Sequence, residues 1–187
     1  DEFNKSKKKN ILKENIICYS PYKGFSFSKK IINFCKDFHF VPIQNMTPSE
    51  VSDLLMTGGD PATMKSDVWR EVLEPLLQPE FDHIKNIRIG TKALTYHPYR
   101  FLTEPDADDL IALFKQMKEG GKHIAVMAHF SHWQELNPVT LEAARRLREE
   151  AGAVIRTQAP LMKGINDNAE VWAKMWLIQV QNGLIPY

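Results

Sequence analysis

The feature that most constrains the fold is a spacing. From about residue 51, short apolar runs end at Thr57, Gly90, Ala128, Thr157 and Pro186, which stand 33, 38, 29 and 29 residues apart. Each interval holds one strand, one helix and two loops. Repetition of that unit predicts an α/β fold with a parallel sheet, because parallel neighbours need a long crossover and a helix supplies it.

The segments between the runs carry helix signals of their own. Ser66 is placed to cap a helix reaching about Leu77. Thr103, with Pro105 just inside and Asp106 three residues on, opens a second helix that stops at Gly120 and Gly121. Its residues Leu110, Ile111, Leu113, Phe114 and Met117 form one stripe to cover the sheet. Asn137 and Pro138 open a third helix ended by Gly152, with Glu142 four residues before Arg146 on its wet side. Asn166 or Asp167 opens a fourth, ended by Gly183, whose Trp172, Met175 and Trp176 fall at helical spacing and read as core.

Charge divides the chain before the regular part begins. Residues 1–45 hold nine Lys, no Arg and four acids, whereas residues 46–187 hold eight Lys, seven Arg and nineteen acids. The two parts are expected to be an irregular Lys- and Asn-rich leader, 1–45, and a regular domain, 46–187. The leader's lysines lack interleaved Arg and aromatics, and the whole chain has net charge +1, so no nucleic-acid partner and no membrane surface are expected. No apolar run approaches membrane-spanning length and the Lys-rich start lacks the pattern of a signal peptide, which points to the cytoplasm. In that compartment Cys18 and Cys35 read as free thiols rather than a disulfide.

In parallel β/α folds ligands sit at the carboxyl ends of the strands. Here those ends carry Thr57, Gly58, Gly59 and Asp60, then Thr91 and Lys92, then His129, Ser131, His132 and Glu135, then Arg156, Thr157 and Gln158. A polar rim of this kind is a candidate binding site. The paired glycines allow close approach of a ligand to the backbone, Asp60 offers an acceptor to an amine, and Gln158 both donates and accepts. His129 and His132 lack a convergent third ligand, so no metal site is expected of them. There is no phosphate-binding glycine loop and no cysteine after residue 35.

The motifs "LLMTGGDP", "IRIGTKAL", "HFSH", "RTQAPLMKGIND" and "GLIPY", in that order, resemble the lysine 2,3-aminomutase family of radical S-adenosylmethionine enzymes over roughly residues 46–187. The resemblance implies a partial parallel (β/α)6 barrel, strands two to six. It also implies migration of an amino group from carbon 2 to carbon 3 of lysine or a related amino acid, an S-adenosylmethionine and [4Fe–4S] cofactor pair, and pyridoxal phosphate. One variant of the class makes β-lysine for modification of an elongation factor. By the same resemblance Gly58, Gly59 and Asp60 hold the amino group of the methionine moiety, Thr57 just before them belongs to the cofactor-binding set, His129 and Gln158 line the S-adenosylmethionine side, and Thr91 and Lys92 line the pocket.

Two departures accompany it. Family members carry a Cys-x3-Cys-x2-Cys loop, whereas Cys18 and Cys35 stand seventeen residues apart and Cys35 is followed at the corresponding offsets by His39 and Pro42. The family's pyridoxal phosphate lysine lies beyond the position of Tyr187, and Lys163 and Lys174 fall in the wrong segments to replace it. The expectation is therefore an incomplete family member, inactive by itself, with a small-molecule amino acid as partner and association through the open edges of the barrel. A non-catalytic adenosyl or amino-acid binding module is the alternative.

Overall fold

The computed structural model describes residues 52–187 apart from Gly58. The leader, its boundary with the regular part, Cys18, Cys35, His39 and Pro42 lie outside the described residues.

Five strands form a single parallel sheet in chain order: β1 (Asp53–Met56), β2 (Asn86–Thr91), β3 (His123–His129), β4 (Val154–Gln158) and β5 (Ile185–Pro186). The pairing is in steady register, with Ile89 opposite Val126 and Val126 opposite Ile155. The connections carry α1 (Ser66–Leu73), α2 (Ala93–Tyr96), α3 (Ala107–Glu119), α4 (Pro138–Glu149) and α5 (Ala169–Gln181). A five-stranded parallel sheet in sequential order is an open part of a (β/α) barrel, since a barrel is the closure of that same sequence of units.

Alternation along each strand separates two environments. Leu54, Met56, Ile87, Ile89, Ile124, Val126, Ala128 and Ile155 belong to the core under the helices. Into it α3 sends the stripe read from sequence, Leu110, Ile111, Leu113, Phe114 and Met117, all buried. Trp69 of α1 meets the Phe114 ring edge-on at 5.7 Å. Burial of side chains of this size stabilises by roughly 1.5–3 kcal/mol each relative to exposure. The other face of the sheet bears Asp53, Leu55, Asn86, Arg88, Gly90, Ala125, Arg156 and Gln158 and lines a cavity.

Several helix ends differ from the sequence expectation. Pro75 has no N–H to continue an α-helix, so α1 stops at Leu73 and the chain runs on to Leu77 as a 3-10 turn. Ser66 is the first residue of α1 rather than its cap; its N–H is satisfied by Asp106 Oδ2 at 2.6 Å. The second helix begins at Ala107, two residues beyond Pro105. Asn137 caps α4 as read, its Oδ1 accepting from the amides of Val139 and Thr140. The last helix is capped by Asn168, not by Asn166 or Asp167. On it Met175 is buried, Trp172 partly so, and Trp176 is 46% exposed, because no described element packs on that side of α5. No described helix is long and apolar enough to cross a membrane.

Candidate active site at the carboxyl rim

In a parallel sheet all strands end at one edge, so Thr57, Asp60, Thr91, Lys92, His129 and Gln158 share a rim despite their separation in sequence. His129 and Gln158 are direct register partners at the ends of β3 and β4. What each side chain does there differs.

The turn after β1 is built around Gly59 and Asp60. Gly59 has φ 72°, a left-handed conformation that costs a residue with a Cβ about 1–2 kcal/mol. Asp60 then starts a short 3-10 turn, Pro61–Thr63. Its Oδ1 accepts from Ala62 N at 3.2 Å and Thr91 Oγ1 at 2.5 Å, and its Oδ2 accepts from Lys92 N at 2.8 Å and the Tyr96 hydroxyl at 3.0 Å. A carboxylate offers about four lone-pair sites. All are met by donors of the protein, so the carboxylate that the family resemblance assigns to a ligand amine here ties the turn to the end of β2. Burial, followed by the charge of Asp60 and the hydrogen bond to it, pushes the Tyr96 phenol up to about 12, which keeps it a donor.

A second knot pins the chain just past the turn. Arg100, 3% exposed, donates from Nε to Ala62 O at 3.1 Å and from Nη2 to Met64 O at 2.8 Å. Its other face meets Asp106 in a two-point pair at 2.9 and 3.1 Å. Burial raises the Asp106 pKa, but the Ser66 amide and the Arg100 charge together outweigh it and hold the carboxyl below its ordinary value.

Between β2 and β3 the rim is closed by Lys92, whose Nζ pairs with Glu135 Oε1 at 3.0 Å, while Glu135 Oε2 accepts from Ser131 N at 2.6 Å. His129 stands beside this pair. Burial lowers its pKa, the Lys92 charge lowers it further and Glu135 opposes them, leaving a neutral ring with one donor and one acceptor at neutral pH. His132 is occupied locally, its Nδ1 accepting from Gln134 N at 3.3 Å. Among the described residues no group of three His, Cys, Asp or Glu side chains is placed to hold a metal ion. Asn166, fully buried, joins the β4–α5 loop to the rim: it donates to Ser131 O and Pro160 O, both at 2.9 Å, and accepts from Met162 N.

Below the rim lies a cavity of about 580 Å³ on the helix-free face of the sheet, walled among others by Thr57, Arg88, Gly90, Met127, Arg156 and Gln158. Arg88 is committed to Asp53 at 2.8 Å. Of the residues singled out in the sequence, Thr57, Arg156 and Gln158 line this cavity, Asp60, Lys92 and His129 stand on the rim outside its lining, and Thr91 is buried with its hydroxyl on Asp60. Gly58 lies outside the described residues. Tyr96 and Arg100 escaped the sequence reading, whereas Asp106 was read as part of a helix start and Asn166 as a helix cap, neither as part of the site.

The chain matches no protein-family model. Curated proteins do match. An Aquifex aeolicus protein provisionally named L-lysine 2,3-aminomutase is 35% identical over 121 residues, 65% of this chain and 31% of its own length. The glutamate 2,3-aminomutase of Clostridioides difficile is 32% identical over 119 residues, 64% of this chain and 25% of its own. The L-lysine 2,3-aminomutase of Buchnera aphidicola is 25% identical over 169 residues, 90% of this chain and 45% of its own. This chain thus spans between a quarter and somewhat under half of the length of these relatives.

Proposed function

We propose that this chain, which belongs to the lysine 2,3-aminomutase family over the region that aligns, forms the strand-end half of an aminomutase site in which an amino group moves between carbons 2 and 3 of an amino acid. The observation that carries the reading is the similarity to aminomutases of two named specificities, over a segment whose polar strand ends share one rim. The glycine turn and the rim donors and acceptors suit an adenosyl ligand: Gln158 and neutral His129 each offer both a donor and an acceptor to a ribose or adenine edge.

Fit to the family's cofactors divides. S-adenosylmethionine, when bound, supplies the group that abstracts a hydrogen atom from the substrate. Thr57, Gly59, His129 and Gln158 are the residues to hold it, with Asp60, Thr91 and Lys92 fixing the turn. An iron–sulfur cluster is not held by the described residues, none of which is a cysteine, and Cys18 and Cys35 are not in the family spacing. No lysine lines the cavity, so a pyridoxal phosphate Schiff base has no donor in its described wall. Lys92 is engaged with Glu135, Lys122 donates to the carbonyls of Phe81 and Ile84, and Lys174 lies over the Trp133 ring.

These 187 residues by themselves are therefore expected to bind S-adenosylmethionine without cleaving it reductively. The two-cysteine count specifically favours this binding-module reading for the polypeptide in isolation. Isothermal titration of the purified chain with S-adenosylmethionine tests the site: a measurable Kd that weakens in Gln158→Ala supports it, and no heat at millimolar ligand sinks it. Anaerobic iron and sulfide reconstitution followed by dithionite tests the chemistry, and 5′-deoxyadenosine above a no-protein control would overturn the expectation.

A further inference from the structure

We propose that Arg156 is a carboxylate-binding residue on the cavity wall, and hence that the occupant of this cavity carries a carboxylate held below the rim. The inference rests on the aminomutase reading for the identity of the occupant as an amino acid, and on the geometry alone for its charge.

Strand alternation decides where Arg156 stands. Its neighbour Thr157 is 3% exposed and donates from Oγ1 to buried Gln179 Oε1 at 2.8 Å, which fixes that face of β4 toward the helices. Arg156 and Gln158 are thereby placed on the cavity face. The register sets Arg156 beside Met127, and Met127 beside Gly90. At the level of the guanidinium, then, one wall is apolar and the next position has no side chain at all. Ala125 keeps the layer beneath similarly open.

Charge accounting singles out the same residue. The lining contains three side chains of fixed formal charge, Asp53, Arg88 and Arg156. Asp53 and Arg88 neutralise each other at 2.8 Å. Among the described residues the exposed Arg156 makes neither an ion pair nor a side-chain hydrogen bond, so its five donors remain available to an occupant of the cavity it lines. A guanidinium recognises a carboxylate through two parallel charge-assisted hydrogen bonds, which a point charge does not reproduce. Gln158, one step nearer the rim on the same strand face, has an amide donor to add to the same anion.

The α-carboxylate common to amino acids and the side-chain carboxylate of an acidic one present the same chemistry, and a set of probes separates them. Glutarate, L-glutamate, L-lysine and 1,5-diaminopentane are titrated calorimetrically into the 187-residue chain at low ionic strength, in wild type, Arg156→Gln and Arg156→Lys. Glutarate is expected to bind about tenfold more weakly to Arg156→Gln, with Arg156→Lys in between and the diamine unaffected by either change. A matching loss for both amino acids assigns the α-carboxylate; a loss for glutamate alone assigns the side chain. Should Arg156→Gln fail to fold, Arg156→Met serves in its place. Equal glutarate affinity in wild type and variant, or no binding of any carboxylate probe to the wild type, overturns the proposal. S-adenosylmethionine is titrated in parallel: a chain that binds it but no carboxylate fails this inference alone, and one that binds glutarate but not S-adenosylmethionine fails the aminomutase reading alone.

Discussion

Asp60, after β1, and Gln158, at the end of β4, stand on the two sides of one rim and are connected to the protein in opposite ways. Asp60 accepts four hydrogen bonds, all from this chain, and behind it Arg100, paired with Asp106, donates to the carbonyls of Ala62 and Met64. The side chain of Gln158 is exposed and opens on the cavity, as does that of Arg156 two residues earlier. The β1–β2 side of the rim is consequently assembled before any ligand arrives, whereas the β4–β5 side keeps its donors for what enters. Preorganisation of one half lowers the ordering cost of binding, and unmet hydrogen-bond capacity in the other half sets what is bound.

Substitution separates the halves, beginning with Arg100. Arg100→Met strands the Asp106 carboxylate and two carbonyls, and is expected to cost about 3–5 kcal/mol in denaturant unfolding; a loss below that would mean the knot behind the turn is dispensable. Asp60→Ala leaves Thr91 Oγ1, Lys92 N and Tyr96 OH without their acceptor, for an expected loss of about 2–4 kcal/mol. A stable Asp60→Ala protein that had lost only ligand affinity would reverse the comparison and return Asp60 to the ligand.

His129 lies between the halves and reports on Lys92. Its folded-state pKa is below the ordinary 6.5. The associated stability is present above 6.5 and is lost as the pH falls from there through the folded value, since the unfolded chain takes up the proton first. Histidine NMR titration should therefore place its midpoint below 6.5, raised in Lys92→Met and lowered further in Glu135→Gln. Smallest of all, Gln158→Ala should change unfolding free energy by less than about 0.5 kcal/mol, because its side chain projects into open volume. A larger change would show that the β4–β5 side is also part of the scaffold.

Much of the fold was legible because it is written in local patterns. The strand spacing, the α3 stripe and the Asn137 cap depend on residues close in sequence, and all three stand in the structure as read. Reading Trp176 as core failed for the opposite reason. Helical spacing says which residues share a side of α5 but not whether an element lies against that side, and here Met175 is covered while Trp176 is not.

The candidate site divides along the same line. That Gly59, Asp60, His129 and Gln158 fall at strand ends followed from the sequence alone, since strand ends in a parallel sheet must gather at one edge. That Asp60 serves the protein and Arg156 faces the cavity was decided only in three dimensions. The Asp60 partners Thr91 and Tyr96 are 31 and 36 residues away, brought within reach by β-sheet pairing and the helix after β2. Which guanidinium is left over depends on which opposite charges strand pairing brings within reach: Arg88, two residues beyond the register partner of Asp53, reaches that carboxylate diagonally at 2.8 Å, and none of the described carboxylates pairs with Arg156. Residue type bounds what a side chain is able to bind, and the neighbours that long-range packing supplies determine whether it is still available to bind it.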